Sequence, residues 1–264
     1  MDLKNKIIWI TGASSGIGKS LAIELSKLDT KLILSSRNET TLNEVKNECE
    51  NLHNIAILPI DLEKYDDFDK TVAIAISFFG KVDILVNNGG ISQRSLAIDT
   101  NLDVDKRIMA INFMGTLALT KAILPHFISN KSGHYVTVTS VVGKVATPLR
   151  STYSASKHAL HGFFDSLRAE VFKNNIDVTL VLPGYVQTNV SMNAVTGDGS
   201  KQNSMDTATK NGIPADEFAS RMIRVIEKRK NEAVIGGFKE VGSTFLKRIS
   251  PKLLAKLVRK VNVT

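Results

Sequence analysis

"KIIWITGASSGIGKSLAIELSKL", residues 6–28, sets a short β-branched run, three glycines and an apolar-periodic stretch in that order. The run at 6–10 reads as a strand, and "SGIGKSLAIELSKL" (15–28) reads as a helix. Between them, Gly12, Gly16 and Gly18, with Ser14, Ser15 and Ile17, form a turn at the helix start. Glycine lets backbone bend sharply and approach a ligand closely, and a helix N-terminus offers free N–H groups and a positive dipole end. That geometry suits a pyrophosphate. The spacing, Gly-x-x-x-Gly-x-Gly, is not the common Gly-x-Gly-x-x-Gly of dinucleotide folds. Nor is it a nucleoside-triphosphate loop, although "GKS" occurs at 18–20.

The same strand–helix rhythm continues outward. Further strands are expected at 31–36, 55–60, 82–88, 134–140 and 177–184, with a seventh at 231–237. Helices are expected at 39–50, 66–80, about 103–130, and from Tyr153 to about Asn174; no element is assigned to 213–230. The strands are apolar throughout rather than alternating, as strands covered on both faces are. The expected fold is therefore α/β: a single-domain, doubly wound parallel sheet of about seven strands with helices on both faces, Rossmann-like. In such sheets ligands bind beyond the carboxyl ends of the strands. The domain is expected over 1–237. It includes a polar, weakly periodic stretch at 189–212 that reads as a lid over the site. Residues 238–264 form a basic, helical tail.

Composition excludes several classes of protein. The 264 residues are 43% apolar and 23% charged, which permits a full core and gives no sign of disorder. A single cysteine, Cys49, excludes an internal disulfide framework and fits a reducing compartment. "MDLKNKIIWITG" does not read as a signal peptide, and no apolar run approaches the roughly 18 residues of a membrane span. The expected location is cytoplasmic. Of the net +8, seven basic residues and one acidic residue lie from Lys239 onward; the body keeps 27 basic and 25 acidic residues. A nearly neutral body argues against a nucleic-acid-binding surface.

Other strand ends refine the ligand. After the second strand come Ser36 and Arg37, with no acid until Glu39. An acid there would take ribose hydroxyls, whereas an arginine forks onto a 2′-phosphate, so NADP(H) is expected over NAD(H). "IDL" (60–62) offers Asp61, placed to accept from an adenine amino group, beside Leu62. "NNGG" (87–90) offers Asn88, Gly89 and Gly90 at a bend where a cofactor can lie on backbone. "YSASK" (153–157) puts Tyr153 and Lys157 on one helix face. A tyrosine is too weak an acid to cycle easily near neutrality, and a nearby cation lowers its pKa.

These motifs, with "IN" ending at Asn112, "SVVG" from Ser140 and "PGYVQT" (183–188), occur in the order of the short-chain dehydrogenase/reductase family. Over about 1–237 the chain resembles that family's single-domain branch of NAD(P)-dependent oxidoreductases, with Gly89 where the family has alanine. "PLRSTYSASKHALHGFFDSLRAE" (148–170) and the basic end are most similar to its member 7 and 7B proteins. The resemblance implies a catalytic tetrad of Asn112, Ser140, Tyr153 and Lys157. Tyr153 would be the proton donor, Lys157 its electrostatic partner and ribose ligand, and Ser140 the orienter of the substrate oxygen. Asn112 would hold a relay water on its backbone carbonyl. It also places Pro183, Gly184, Val186 and Thr188 at the nicotinamide, and implies a homodimer or homotetramer. No metal is needed, since hydride comes from the cofactor.

The substrate pocket is expected from Ser140–Lys144, 147–151, Tyr185 and the lid, with Val141, Val142, Leu149 and Met192 as an apolar wall. Arg150 is expected to be solvated, the alternative being contact with an anionic group. His158 and His161 read as structural. The tail segment 245–261 is amphipathic and basic. It is expected to pack on the body or a partner subunit, with an anionic membrane surface the less favoured alternative. The expected activity is NADP(H)-dependent interconversion of an apolar ketone or aldehyde and its alcohol. Its rivals are 3-ketoacyl carrier-protein reduction and a non-catalytic dinucleotide-sensing scaffold.

Overall fold

The computed structural model describes residues 1–261; the end of the expected tail, 262–264, lies outside the described residues. Seven strands form one sheet: β1 (Ile7–Thr11), β2 (Lys31–Ser35), β3 (Ile55–Ile57), β4 (Ile84–Asn87), β5 (Gly133–Val138), β6 (Ile176–Pro183) and β7 (Glu232–Ile235). Their order is β3-β2-β1-β4-β5-β6-β7, and every pairing is parallel. The chain winds outward from β1 to β3, then returns to place β4 against the other side of β1. The connections diverge between β1 and β4, which opens a crevice at the strands' carboxyl ends.

The apolar strand pattern has its expected cause. Ile8 and Ile10 face one layer with α1 (Gly16–Ser26), while Ile7 and Trp9 face the other. All four side chains are buried. The second layer holds α3 (Phe68–Phe79), α5 (Thr116–Ser129) and α6 (Ser151–Glu170). The remaining helices are α2 (Glu39–Glu48), α4 (Leu102–Met109), a four-residue α7 (Thr207–Lys210), α8 (Ala215–Glu227), α9 (Phe238–Ile249) and α10 (Pro251–Val258).

Four differences from the expected elements have physical causes. Regular β3 pairing stops at Ile57, because Pro59 brings no N–H; Leu58 and Ile60 still donate to Leu34 and Ser36 carbonyls. The 103–130 helix is not uniform, since Ala110–Gly115 is a π-helical turn between α4 and α5. The helix from Tyr153 begins at Ser151, ends at Glu170 and gives way to a short 3-10 turn. α8 occupies a region with no assigned element; its Phe218, Ala219, Met222, Ile223 and Ile226 pack beside α1 in the first layer.

The run Leu102–Ser129 is long and apolar enough to cross a membrane by length and composition. Here its apolarity serves the core. Leu119, Ile123 and Phe127 are buried, and the Thr120 carbonyl accepts from the buried Tyr135 hydroxyl at 2.9 Å.

Candidate active site

A cavity of about 610 Å³ opens at the carboxyl ends of the strands. Its floor is a junction of two strand ends. Thr11 Oγ1 accepts from the backbone N–H groups of Asn88 and Gly89, each at 3.0 Å. Asn88 Nδ2 donates back to the carbonyls of Thr11 and Gly12 at 3.0 and 3.1 Å. The turns after β1 and β4 thus form one platform. Gly12 sits in left-handed backbone at φ +64°, and a Cβ there would lie 2.8 Å from Gly89 Cα. Only glycine permits both the conformation and the approach.

The residues present fit a dinucleotide. Ser15 caps α1 with no side-chain hydrogen bond, and Ser15, Gly16 and Ile17 at the helix start line the cavity, where a helix N-terminus suits phosphate. Gly12, Ser14, Ser15, Gly16 and Ile17 line one end with Ser36, Arg37, Asp61 and Leu62. Asn88, Gly89 and Gly90 lie between that end and Pro183, Gly184, Val186 and Thr188. Gly18 does not line the cavity. It is buried, and a Cβ there would stand 2.3 Å from the Gly12 carbonyl oxygen; the glycine serves helix–turn packing.

Ser140, Tyr153 and Lys157 line the other end. Lys157 is buried from the inner side of α6. Its Nζ donates to the Val138 carbonyl at 2.9 Å and lies 5.8 Å from the Tyr153 ring centre. Burial lowers the Lys157 ammonium to about 8. Burial pushes the Tyr153 phenol up, against Arg150, the Ser140 hydroxyl and Arg94, which pull it down. Ser140 Oγ accepts from the Val142 N–H at 3.3 Å, which fixes it at the strand end.

Asn112 does not reach the cavity. It is fully buried in the π-helical turn, where its Oδ1 accepts from Ile91 N at 2.8 Å. Its Nδ2 donates to the Ile91 carbonyl and to Ser156 Oγ. The side chain braces the loop after β4 against α6.

The substrate side differs from expectation. Val141 and Val142 are buried in the body, Met192 faces outward, and Leu149 stays outside the lining. The wall is instead Ile91, Val190 and Val195 with Arg94, Arg150 and Tyr185. Arg150 is not solvated: it is 7% exposed, 5.6 Å from the Tyr185 ring centre and 3.6 Å from Asp206. Its Nε and Nη2 are buried without a hydrogen-bond partner.

Asp206 belongs to the 189–212 segment, which is an ordered flap rather than a loose loop. Asp206 is buried and takes Arg94 Nε at 2.9 Å, with a second contact from Arg94 Nη2. The flap's stem is closed where Gln187 N donates to the Ile213 carbonyl and Ile213 N to that of Tyr185. Its middle is stitched to the loop after β4, where Val195 N donates to the Ser92 carbonyl and Arg94 N to that of Val195.

The family model for short chain dehydrogenases matches residues 6–199. The chain belongs to that family. Among curated short-chain dehydrogenases it is 40% identical to "Dehydrogenase/reductase SDR family protein 7-like" of Anopheles gambiae, over 99% of this chain and 86% of the relative. It is 40% identical to member 7B of Xenopus laevis, over 97% and 81%. Member 7 of Homo sapiens is 42% identical over 85% of this chain and 67% of its own length. Among solved structures, a short-chain dehydrogenase from Burkholderia phymatum in complex with NAD superposes with TM-score 0.83 at 20% identity, covering 100% and 98% of the two chains. A 3-ketoacyl-(acyl-carrier-protein) reductase from Brucella melitensis, complexed with NADH, gives 0.77 at 24%, covering 90% and 99%. These two likenesses carry the fold. As a short-chain dehydrogenase, the chain is an oxidoreductase with an NAD(P)-binding sheet.

Sequence reasoning missed Thr11, Gln93, Arg94 and Asp206. Gln93 is fully buried, and its Oε1 accepts from the N–H groups of Thr152 and Tyr153 at 2.9 and 3.1 Å. The residue that caps α6 therefore lies some sixty positions upstream, where no local signature could show it.

Proposed function

We propose that this short-chain dehydrogenase is an NADP(H)-dependent oxidoreductase that interconverts a ketone or aldehyde and its alcohol, with Tyr153 as general acid and base. The observation that carries the reading is the shared cavity: Ser140, Tyr153 and Lys157 face the same space as the glycine turn and Arg37. The nicotinamide supplies the hydride when bound. The chain's own residues handle the oxygen. The Tyr153 hydroxyl donates its proton to the carbonyl oxygen as negative charge develops there, and the Ser140 hydroxyl donates a second hydrogen bond. The Lys157 ammonium stabilises the phenolate that remains. Asn112 acts behind them as a brace, leaving its backbone carbonyl for a relay water.

Arg37 supports NADP(H) over NAD(H). It is exposed at the end of β2, beside Ser36, with its guanidinium free to fork onto a 2′-phosphate. Ile91, Val190 and Val195 offer an apolar surface for the substrate's body, and Arg150 adds one polar wall. The enzyme works as a homodimer or homotetramer in the cytoplasm. An NADPH-oxidation screen across ketones, steroids, retinoids and acyl thioesters tests the reading. Turnover of a free ketone supports it; turnover confined to acyl thioesters would favour the 3-ketoacyl reductase instead. NADPH binding with no turnover on any class would favour the sensing scaffold.

A further inference from the structure

The two C-terminal helices keep a large apolar face off the body. On α9, Phe238, Phe245 and Ile249 fall at i, i+7 and i+11 and share one face. That face points to solvent: the three side chains are 93%, 60% and 82% exposed. The face turned inward is mixed: Glu240, Val241, Ser243, Thr244 and Leu246 are half-buried. Glu240 packs against Gly184 and Gly236. α9 buries no residue fully, and α10 buries only Leu254. Leu253 and Leu257 on α10, and Val261 beyond it, are exposed apolar side chains as well. The expected packing of the tail on the body is therefore partial: it uses one side of α9 and Leu254 of α10, and leaves the apolar stripe uncovered.

Charge selects what covers the stripe. Lys239, Lys247, Arg248, Lys252, Lys256, Arg259 and Lys260 surround it, with Glu240 as the one acid. Among the described residues none of these seven cations forms an ion pair. A second copy of this tail would bring like charge against like. The body of a second copy, with 27 basic and 25 acidic residues, offers no acidic excess to compensate. An apolar stripe rimmed by unpaired cations complements an anionic lipid surface: the side chains enter the headgroup boundary while the cations meet phosphates.

We propose that α9 and α10 dock this protein peripherally on an anionic phospholipid bilayer. Phe238, Phe245, Ile249, Leu253 and Leu257 enter the interface, and the flanking lysines and arginines contact headgroups. The position matters for function. α9 starts three residues after β7, and Glu240 lies against Gly184, which lines the cavity. Docking through α9 thus places the lipid contact next to the end of the sheet that carries Gly184. The proposal does not depend on the catalytic reading.

The test is co-sedimentation of the full chain with vesicles of phosphatidylcholine alone, or of phosphatidylcholine with phosphatidylserine. Binding to the anionic vesicles, weakened by salt and absent on the neutral ones, is expected. Phe245→Ser with Ile249→Ser, and separately Lys252→Gln with Lys256→Gln, should each weaken partitioning about tenfold or more. All four positions are exposed, so melting temperature should not move, and NADPH-linked turnover of a soluble ketone should be unchanged. No binding to anionic vesicles overturns the proposal. So does binding that neither double variant weakens. A Phe245→Ser/Ile249→Ser protein that loses a dimer in sedimentation velocity also overturns it, because a second copy then covers the face.

Discussion

The side-chain oxygen of Gln93 accepts from the backbone N–H of Tyr153, so the loop after β4 caps the helix that carries the proposed proton donor. The same oxygen takes the Thr152 N–H. Arg150, at the cap position itself, makes no side-chain cap bond. Gln93 is a positioning residue. Removing its amide leaves two helix N–H groups buried without an acceptor, a loss of about 1–3 kcal/mol. Gln93→Leu should lower the melting temperature and reduce kcat for ketone reduction more than it raises KM for NADPH. Gln93→Glu, which keeps an acceptor, should recover most of kcat. Equal effects of the two variants on kcat would remove the positioning role.

Asp206 holds the flap by charge. It is the one carboxylate shared by the buried Arg94 and Arg150. Breaking a buried pair by removing one partner typically costs about 3–5 kcal/mol, because a charge is left buried and uncompensated. Asp206→Asn should therefore release the flap rather than leave two guanidiniums facing each other. Limited proteolysis within 189–212 should accelerate about tenfold or more, with a lower melting temperature. Wild-type cleavage rates in the variant would show that the flap is held by its backbone stitches alone.

The site residues visible in the sequence were those whose chemistry is tied to local spacing. The glycine turn, Ser36–Arg37, "NNGG" and Tyr153–Lys157 sit next to their own strand or helix signal, and the structure brings them to one cavity. Gly18 and the Asn112 side chain show the limit of such reading. Their types and positions were legible, but their work is packing against Gly12 and bracing Ile91. Arg94, Asp206 and Arg150 were not legible as a group. They are brought together by a flap that folds back over the sheet, across 112 positions between Arg94 and Asp206. The same long-range folding removed Val141, Val142 and Met192 from the wall they were expected to form. α8 was the reverse case. Its apolar spacing was present in the sequence but masked by eight charged residues within 215–230.

Lys157 sets an alkaline limit. Burial brings its ammonium to about 8, so the cation beside Tyr153 is present below that pH and lost above it. The carbonyl-reducing kcat/KM should be level from about pH 6.5 to 8 and fall above. Lys157→Arg, if it melts like wild type, should extend the level region upward, since a guanidinium stays charged. The sign for stability is opposite. The unfolded lysine holds its proton to about 10.5, so the unfolded chain binds more protons between pH 8 and 10.5. Native stability should rise with pH across that window by this contribution. A reduction profile that keeps rising through pH 9 would exclude Lys157 as the charge that matters.

Arg37 should decide between the two dinucleotides. Arg37→Asp removes the fork for a 2′-phosphate and offers a ribose acceptor instead. KM for NADPH should rise about tenfold or more while KM for NADH falls or stays level. Equal increases for both would show that Arg37 does not read the phosphate.

The central claim is that the Tyr153 hydroxyl delivers the proton to the substrate oxygen. Tyr153→Phe removes one oxygen from a side chain whose ring packing can persist, and NADPH binding can be followed separately by fluorescence titration. With a ketone found by the screen, single-turnover NADPH oxidation should fall about a thousandfold or more, while NADPH affinity changes only a few-fold. Reduction at the wild-type rate by a Tyr153→Phe protein that binds NADPH normally would contradict the account.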